Sequence, residues 1–102
     1  MTYDPDNIFA RILRGEIPNR TVLETEHTLA FHDIGPQAPV HVLVIPKGAY
    51  TCFDHFAREA SAAEIVDFHR AAAQVCETVG LMADGYRTIS NTGAAGLQEV
   101  PH

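Results

Sequence analysis

The run His41-Val42-Leu43-Val44-Ile45 constrains this chain more than any other segment. It is apolar on both faces, so it reads as a central strand covered on both sides. Pro46 closes it, because proline has no N–H to give a ladder. Lys47-Gly48 follows as a turn. Upstream, Thr21 to Glu26 is compatible with a strand, and Thr28 to His32 alternates Leu29 and Phe31 with smaller residues. The polar Thr25-Glu26-His27 between them reads as a hairpin turn, without the Asn-Gly or Asp-Gly signature. Downstream, Asp84-Gly85 is a turn and Tyr86 to Ser90 alternates as a further strand. Gly35-Pro36-Gln37-Ala38-Pro39 is a turn-rich connector.

Helical periodicity appears twice. Asp6-Asn7 offers a cap for Ile8, Phe9, Ile12 and Leu13, which share one helical face, and Gly15 supplies the stop. This predicts a short helix over Ile8 to Arg14. Ser61-x-x-Glu64 is a capping box. The stripe Ile65, Phe68, Ala72, Val75, Cys76 and Val79 then predicts one amphipathic helix from Ser61 to Val79, ended by Gly80. Tyr50 to Ala60 is ambiguous and is expected to hold a helical turn. The order helix, strands, long helix, strand gives an α+β domain with a mostly antiparallel sheet. No internal repeat or linker divides it, so one domain over residues 1–102 is expected.

Charge and composition remove several functions. Seven Lys and Arg stand against 13 Asp and Glu, a net charge of -6. Such a surface repels phosphate backbones, so nucleic-acid binding is not expected. One small anionic ligand held by local dipoles remains compatible with it. No basic stretch leads into an apolar run at the N-terminus, so no signal peptide is read. No segment approaches the run of about 20 apolar residues that spans a bilayer. Cys52 and Cys76 form no C-x-x-C motif, and a reduced, cytoplasmic protein with both thiols buried is expected.

Six histidines stand in 102 residues. None has H-E-x-x-H spacing, and no cysteine lies at zinc-finger distance, so neither a metal nor another cofactor is expected. His27, His55 and His69 read as structural or solvated. His41 opens the strong strand, where an ionisable group needs a partner or stays neutral. It is either a strand-end histidine bonded to backbone or a neutral imidazole aimed into a site. Asp33 is either a turn aspartate bonding its own backbone or a carboxylate accepting two ribose hydroxyls. The small residues Gly93-Ala94-Ala95-Gly96 leave backbone N–H groups uncovered. Such a loop can cradle phosphate, although it is no P-loop and small-residue loops are common.

Taken together, these segments resemble the histidine-triad superfamily, in its nucleotide-binding branch. The residues that carry the likeness run from Asn7-Ile8-Phe9-Ala10-Arg11-Ile12 through Gly15-Glu16-Ile17-Pro18 to Ala30-Phe31-His32-Asp33-Ile34. They continue with Pro36-Gln37-Ala38-Pro39-Val40-His41-Val42-Leu43-Val44-Ile45-Pro46-Lys47, then Gly85-Tyr86-Arg87, Asn91-Thr92-Gly93 and Gln98-Glu99-Val100-Pro101-His102. The resemblance implies a fold of this family, binding of a purine nucleoside monophosphate or its phosphoramidate, and cleavage at the α-phosphate. Phe9, Ile12, Ile17, Phe31, His32 and Ile34 would line the base pocket. Asp33 would hold the ribose hydroxyls. Asn91, with backbone near Leu97, Glu99 and Val100, would hold the phosphate. His41 would support the nucleophilic histidine, and His102 matches the first histidine of the family's H-x-H-x-H signature. The resemblance also implies a homodimer.

That chemistry is physically coherent. A purine wants apolar walls, a phosphoryl group wants backbone donors aimed at its oxygens, and a neutral imidazole can attack phosphorus and leave again. Three departures stand out. Leu97 occupies a position where many relatives carry glycine, and Glu99 replaces a serine found in some. The family's nucleophile falls two positions beyond His102, so the final strand is missing and the 102-residue chain is expected to be inactive. The alternative is a non-catalytic module that binds purine nucleotides or forms dimers.

Overall fold

The computed structural model describes residues 1–36 and 38–102. It begins with α1 (Ile8–Leu13), and three strands follow: β1 (Thr21–Glu24), β2 (Thr28–His32) and β3 (Val42–Pro46). The helices α2 (Phe53–Glu59) and α3 (Ala62–Thr78) come next. Gln37, within the expected connector, lies outside the described residues.

Local chemistry explains the boundaries. The Asn7 side chain accepts from the Ala10 N–H and starts α1, satisfying one of the donors a helix start leaves open. Arg14 caps its end, and Gly15 leaves it at φ +79°. The capping box read at Ser61 and Glu64 forms in full, with each side chain bonded to the other's backbone N–H. Val79 caps α3, and Gly80 takes φ +75°. The helical turn expected after Tyr50 is present and extends to about two turns, α2.

β2 occupies the middle of an antiparallel sheet ordered β1-β2-β3. Leu29 faces Ile45 and Phe31 faces Leu43 across one ladder, and Leu23 faces Ala30 across the other. The four residues Thr28 to Phe31 are all buried. β3 therefore does not take the covered central place its composition predicts: only Ile45 is buried in it. Tyr86 to Ser90 is likewise no strand but an exposed irregular segment. The reason for both differences is the same. Apolar alternation marks a segment fit for a sheet, but pairing needs a partner backbone. Among the described residues, no strand pairs with the outer edge of β3.

The two faces of the sheet are covered differently. Side chains alternate along a strand, so Leu29, Phe31, Leu43 and Ile45 share one face. There they pack with Ile12, Phe9, Leu13 and Ile17 into the main apolar cluster, beneath α1. Thr28 and Ala30 look the other way, towards α3. The Asp67 carboxylate fixes that helix in place. Its Oδ2 accepts from the hydroxyls of Thr25 (2.6 Å) and Thr28 (2.8 Å) and from the His27 N–H (3.2 Å). These bonds hold the Asp67 carboxyl below its usual range. Ala71, Val75 and Cys76 are buried on α3, whereas Ile65 and Phe68 of the stripe are half-buried. Cys76 is the buried thiol expected; Cys52 is only half-buried, its sulfur donating to Asp54 at the start of α2.

Candidate functional site

Asp33 and His41 meet where β2 and β3 end. The Asp33 N–H donates to the His41 carbonyl at 3.0 Å, one rung beyond the ladder that pairs His32 with Val42. Asp33 Oδ1 accepts from the Gly35 N–H at 2.9 Å, the bond expected of a turn aspartate. Oδ2 lies 3.4 Å from His41 Nε2, and the two side chains retain 22% and 30% of their exposure. The turn role of Asp33 and its approach to an imidazole thus coexist. A carboxylate offers about four lone-pair directions, so these two contacts leave capacity for a ligand.

Four of the six residues assigned to a base pocket come together. Phe9, Ile12, Ile17 and Phe31 belong to the cluster under α1, with the rings of Phe9 and Phe31 edge-to-face at 5.8 Å. His32 and Ile34 do not join them. His32 is half-buried on the opposite face by strand alternation, and Ile34 is 94% exposed beyond the strand. Among the described residues, two surface clefts stand out, and neither is lined by Asp33 or His41. One, of about 430 Å³, runs between Ile12, Leu29, Glu24 and Lys47. The other, of about 390 Å³, lies between Thr51, His55, Arg58 and Thr92.

The loop from Asn91 to Val100 is built on special backbone. Gly93 has φ +67° and Leu97 φ +60°. Leu97 is 78% exposed, and Asn91 and Glu99 are exposed while Val100 is half-buried. The left-handed conformation at Leu97 costs a side-chain-bearing residue about 1–2 kcal/mol, which gives a physical reason for glycine to suit that position. Gly96 sits so close to Thr92 that a Cβ there would lie 2.4 Å from the Thr92 carbonyl oxygen.

Gln98 holds this loop, a role its place in the sequence does not announce. Its Oε1 accepts from the Gly93 N–H at 3.0 Å, and its Nε2 donates to the carbonyls of Thr51 (2.6 Å) and Val100 (3.1 Å). Of the N–H groups offered for a phosphate, that of Gly93 is therefore occupied. Leu97 N and Gln98 N also close turns, onto Ala94 O and Gly93 O. The only forewarning was the spacing of an amide side chain after a small-residue loop, which fits many roles. His55, read as structural or solvated, accepts from the Thr51 N–H at 2.9 Å.

His102 is packed inward. Nδ1 lies 2.7 Å from the Tyr3 hydroxyl and Nε2 2.7 Å from the Pro46 carbonyl oxygen. Burial pulls its pKa below the ordinary histidine value, with the Pro46 contact opposing the shift in part.

Sheet and helices define a small α+β domain, with the Asp33–His41 pair just beyond the end of β2 and the start of β3. The chain belongs to the HIT domain family, whose model matches residues 14–102. A HIT-like protein of Azospirillum brasilense, itself uncharacterized, is 60% identical over 99% of this chain and 83% of its own length. The purine nucleoside phosphoramidase of Escherichia coli is 39% identical over 95% of this chain and 81% of its own. A solved histidine triad protein from Clostridium difficile superposes with a TM-score of 0.86 at 35% identity, covering 99% of this chain and 87% of that one. Among the described residues, no helix is long and apolar enough to cross a membrane. Nor, among them, does any group of three or more His, Cys, Asp or Glu stand close enough to hold a metal ion.

Proposed function

We propose that this protein is a hydrolase of purine nucleoside phosphoramidates. It binds the nucleotide at the ends of β2 and β3 and releases a nucleoside monophosphate and an amine. The observation that carries the reading is the Asp33–His41 pair, set one rung beyond a ladder that also buries Phe31. The remaining acceptor capacity of Asp33 suits the two ribose hydroxyls. Phe9, Ile12, Ile17 and Phe31 would give the base its apolar wall. Asn91 and the backbone around Leu97, Glu99 and Val100 would hold the phosphate. Kinship with the phosphoramidase of Escherichia coli supports the substrate class.

In this mechanism a histidine attacks the α-phosphorus and the P–N bond breaks. The amine leaves with a proton, and water then releases the nucleotide from the histidine. The polypeptide of residues 1–102 supplies Asp33, His41, Asn91 and His102 but not the family's nucleophile. The reading includes a cytoplasmic location, for which the free thiols of Cys52 and Cys76 speak. It also includes a homodimer, to be checked by sedimentation.

The test compares the 102-residue chain with one extended through the family's second histidine. Both should bind AMP, and only the extended chain should release AMP from adenosine phosphoramidate. Binding by neither would overturn the reading, and turnover by the shorter chain would overturn the assignment of the nucleophile. Binding by both with turnover by neither would favour the non-catalytic module instead.

A further inference from the structure

The segment before α1 meets the segment after the Asn91–Val100 loop at the His102 imidazole. Its Nε2 faces the Pro46 carbonyl at 2.7 Å. A carbonyl oxygen only accepts, so Nε2 carries the hydrogen. Nδ1 of the neutral ring is then an acceptor, and the Tyr3 hydroxyl at 2.7 Å is its donor. The ring stands edge-on to Phe9, centroids 6.2 Å apart at 88°, and tilted against Tyr3 at 5.6 Å.

Tyr3 does not reach this place by chance of a loose terminus. The Asn7 side chain and the Asn7 N–H both donate to the Asp4 carbonyl, at 2.7 and 3.1 Å, while the Asn7 side-chain oxygen caps α1. The cap thus fixes the Asp4–Pro5 peptide, one residue beyond Tyr3, and α1 carries Phe9 against the same imidazole. One short helix and its leader place two of the groups that confine the ring; β3, through Pro46, places the third.

We infer that Tyr3 is a positioning residue for His102: its hydroxyl donates to Nδ1, which reinforces the Nε2–H tautomer that the Pro46 carbonyl selects, and helps hold the ring against Phe9 and β3. What that orientation does in turnover rests on the proposed function. The hydrogen-bond relation itself needs no nucleotide. Tyr3 touches no reacting atom in this account and acts only through His102.

The test is long-range proton–nitrogen NMR of the histidine rings at neutral pH, with His102 assigned by its loss in His102→Gln. In the wild-type chain, Nε2 should resonate as protonated and Nδ1 as a hydrogen-bonded acceptor. Tyr3→Phe keeps the aromatic ring and removes the donor. The Nδ1 signal should then move by several ppm towards an unbonded acceptor, with the Nδ1–H tautomer becoming detectable. Incorporating ortho-fluorotyrosine at the three tyrosines makes a stronger donor and should move Nδ1 the opposite way. This second comparison stands even if Tyr3→Phe unfolds. Unchanged His102 shifts in the folded variants, or a protonated Nδ1 in the wild type, would overturn the inference. AMP added to the same samples separates the two readings: the tautomer shift without any response to AMP sinks the nucleotide site and leaves Tyr3 in its role.

Discussion

Gly96→Ala tests whether the loop between Asn91 and Val100 has the shape described. An ideal Cβ at Gly96 would lie 2.4 Å from the Thr92 oxygen, 2.8 Å from its nitrogen and 3.1 Å from its carbonyl carbon. Real Cβ atoms essentially never approach closer than 3.0 Å, so the loop has to open by at least about 0.6 Å. All three atoms are backbone, and no side chain can swing aside. Overpacking of this kind costs about 1–3 kcal/mol. The strain passes to the Gln98 bonds with Gly93 and Thr51, which close the same loop. For a domain of this size the thermal midpoint should fall by about 5–20 °C. Gly93→Ala is the matched control. Nothing lies within 4 Å of a Cβ there, and only φ +67° opposes it, at about 1 kcal/mol. Gly93→Asn should cost less, because Asn tolerates that conformation. Thermal unfolding followed by circular dichroism decides. A Gly96→Ala midpoint within a degree of wild type, or a larger loss for Gly93→Ala, would refute the reasoning.

Two further outcomes follow from the same geometry. Asp67→Ala leaves the hydroxyl of Thr28, 1% exposed, without its acceptor, a loss of about 1–3 kcal/mol readable in urea unfolding. Because hydrogen bonds from Thr25 and Thr28 lower the folded pKa of Asp67, its stabilisation is present above the unfolded value of about 3.9. It fades as pH falls through the lower, folded value, so the variant should lose less stability than wild type on acidification. Leu97→Gly should relieve the left-handed strain at φ +60° and stabilise the fold by up to about 1 kcal/mol, read as a higher thermal midpoint.

Much of this architecture was legible because local chemistry dictates it. Asn7 and the Ser61–Glu64 pair announce helix starts through their side-chain oxygens, and Gly15 and Gly80 announce the stops. The hairpin of β1 and β2 was readable from its polar turn. Strand placement was not. The apolar run of β3 reads as central, yet its place depends on which other backbone pairs with it, a non-local property. Tyr86 to Ser90 has the right alternation and finds no partner among the described residues. At the site, Asp33 and His41 were picked out singly, but their 3.4 Å approach follows from strand register. Gln98 stayed unseen because its partners, Gly93 and Thr51, lie in separate segments brought together by the fold.

The claim that matters most is that Asp33 holds a nucleotide ribose. The most direct measurement is calorimetric titration of AMP into the wild-type chain and into Asp33→Ala. Losing hydrogen bonds to a charged acceptor is worth about 1.5–3 kcal/mol, so the account predicts binding by wild type that weakens about tenfold or more in the variant. Equal affinity in the two proteins, or no heat from the wild type at millimolar AMP, would contradict it.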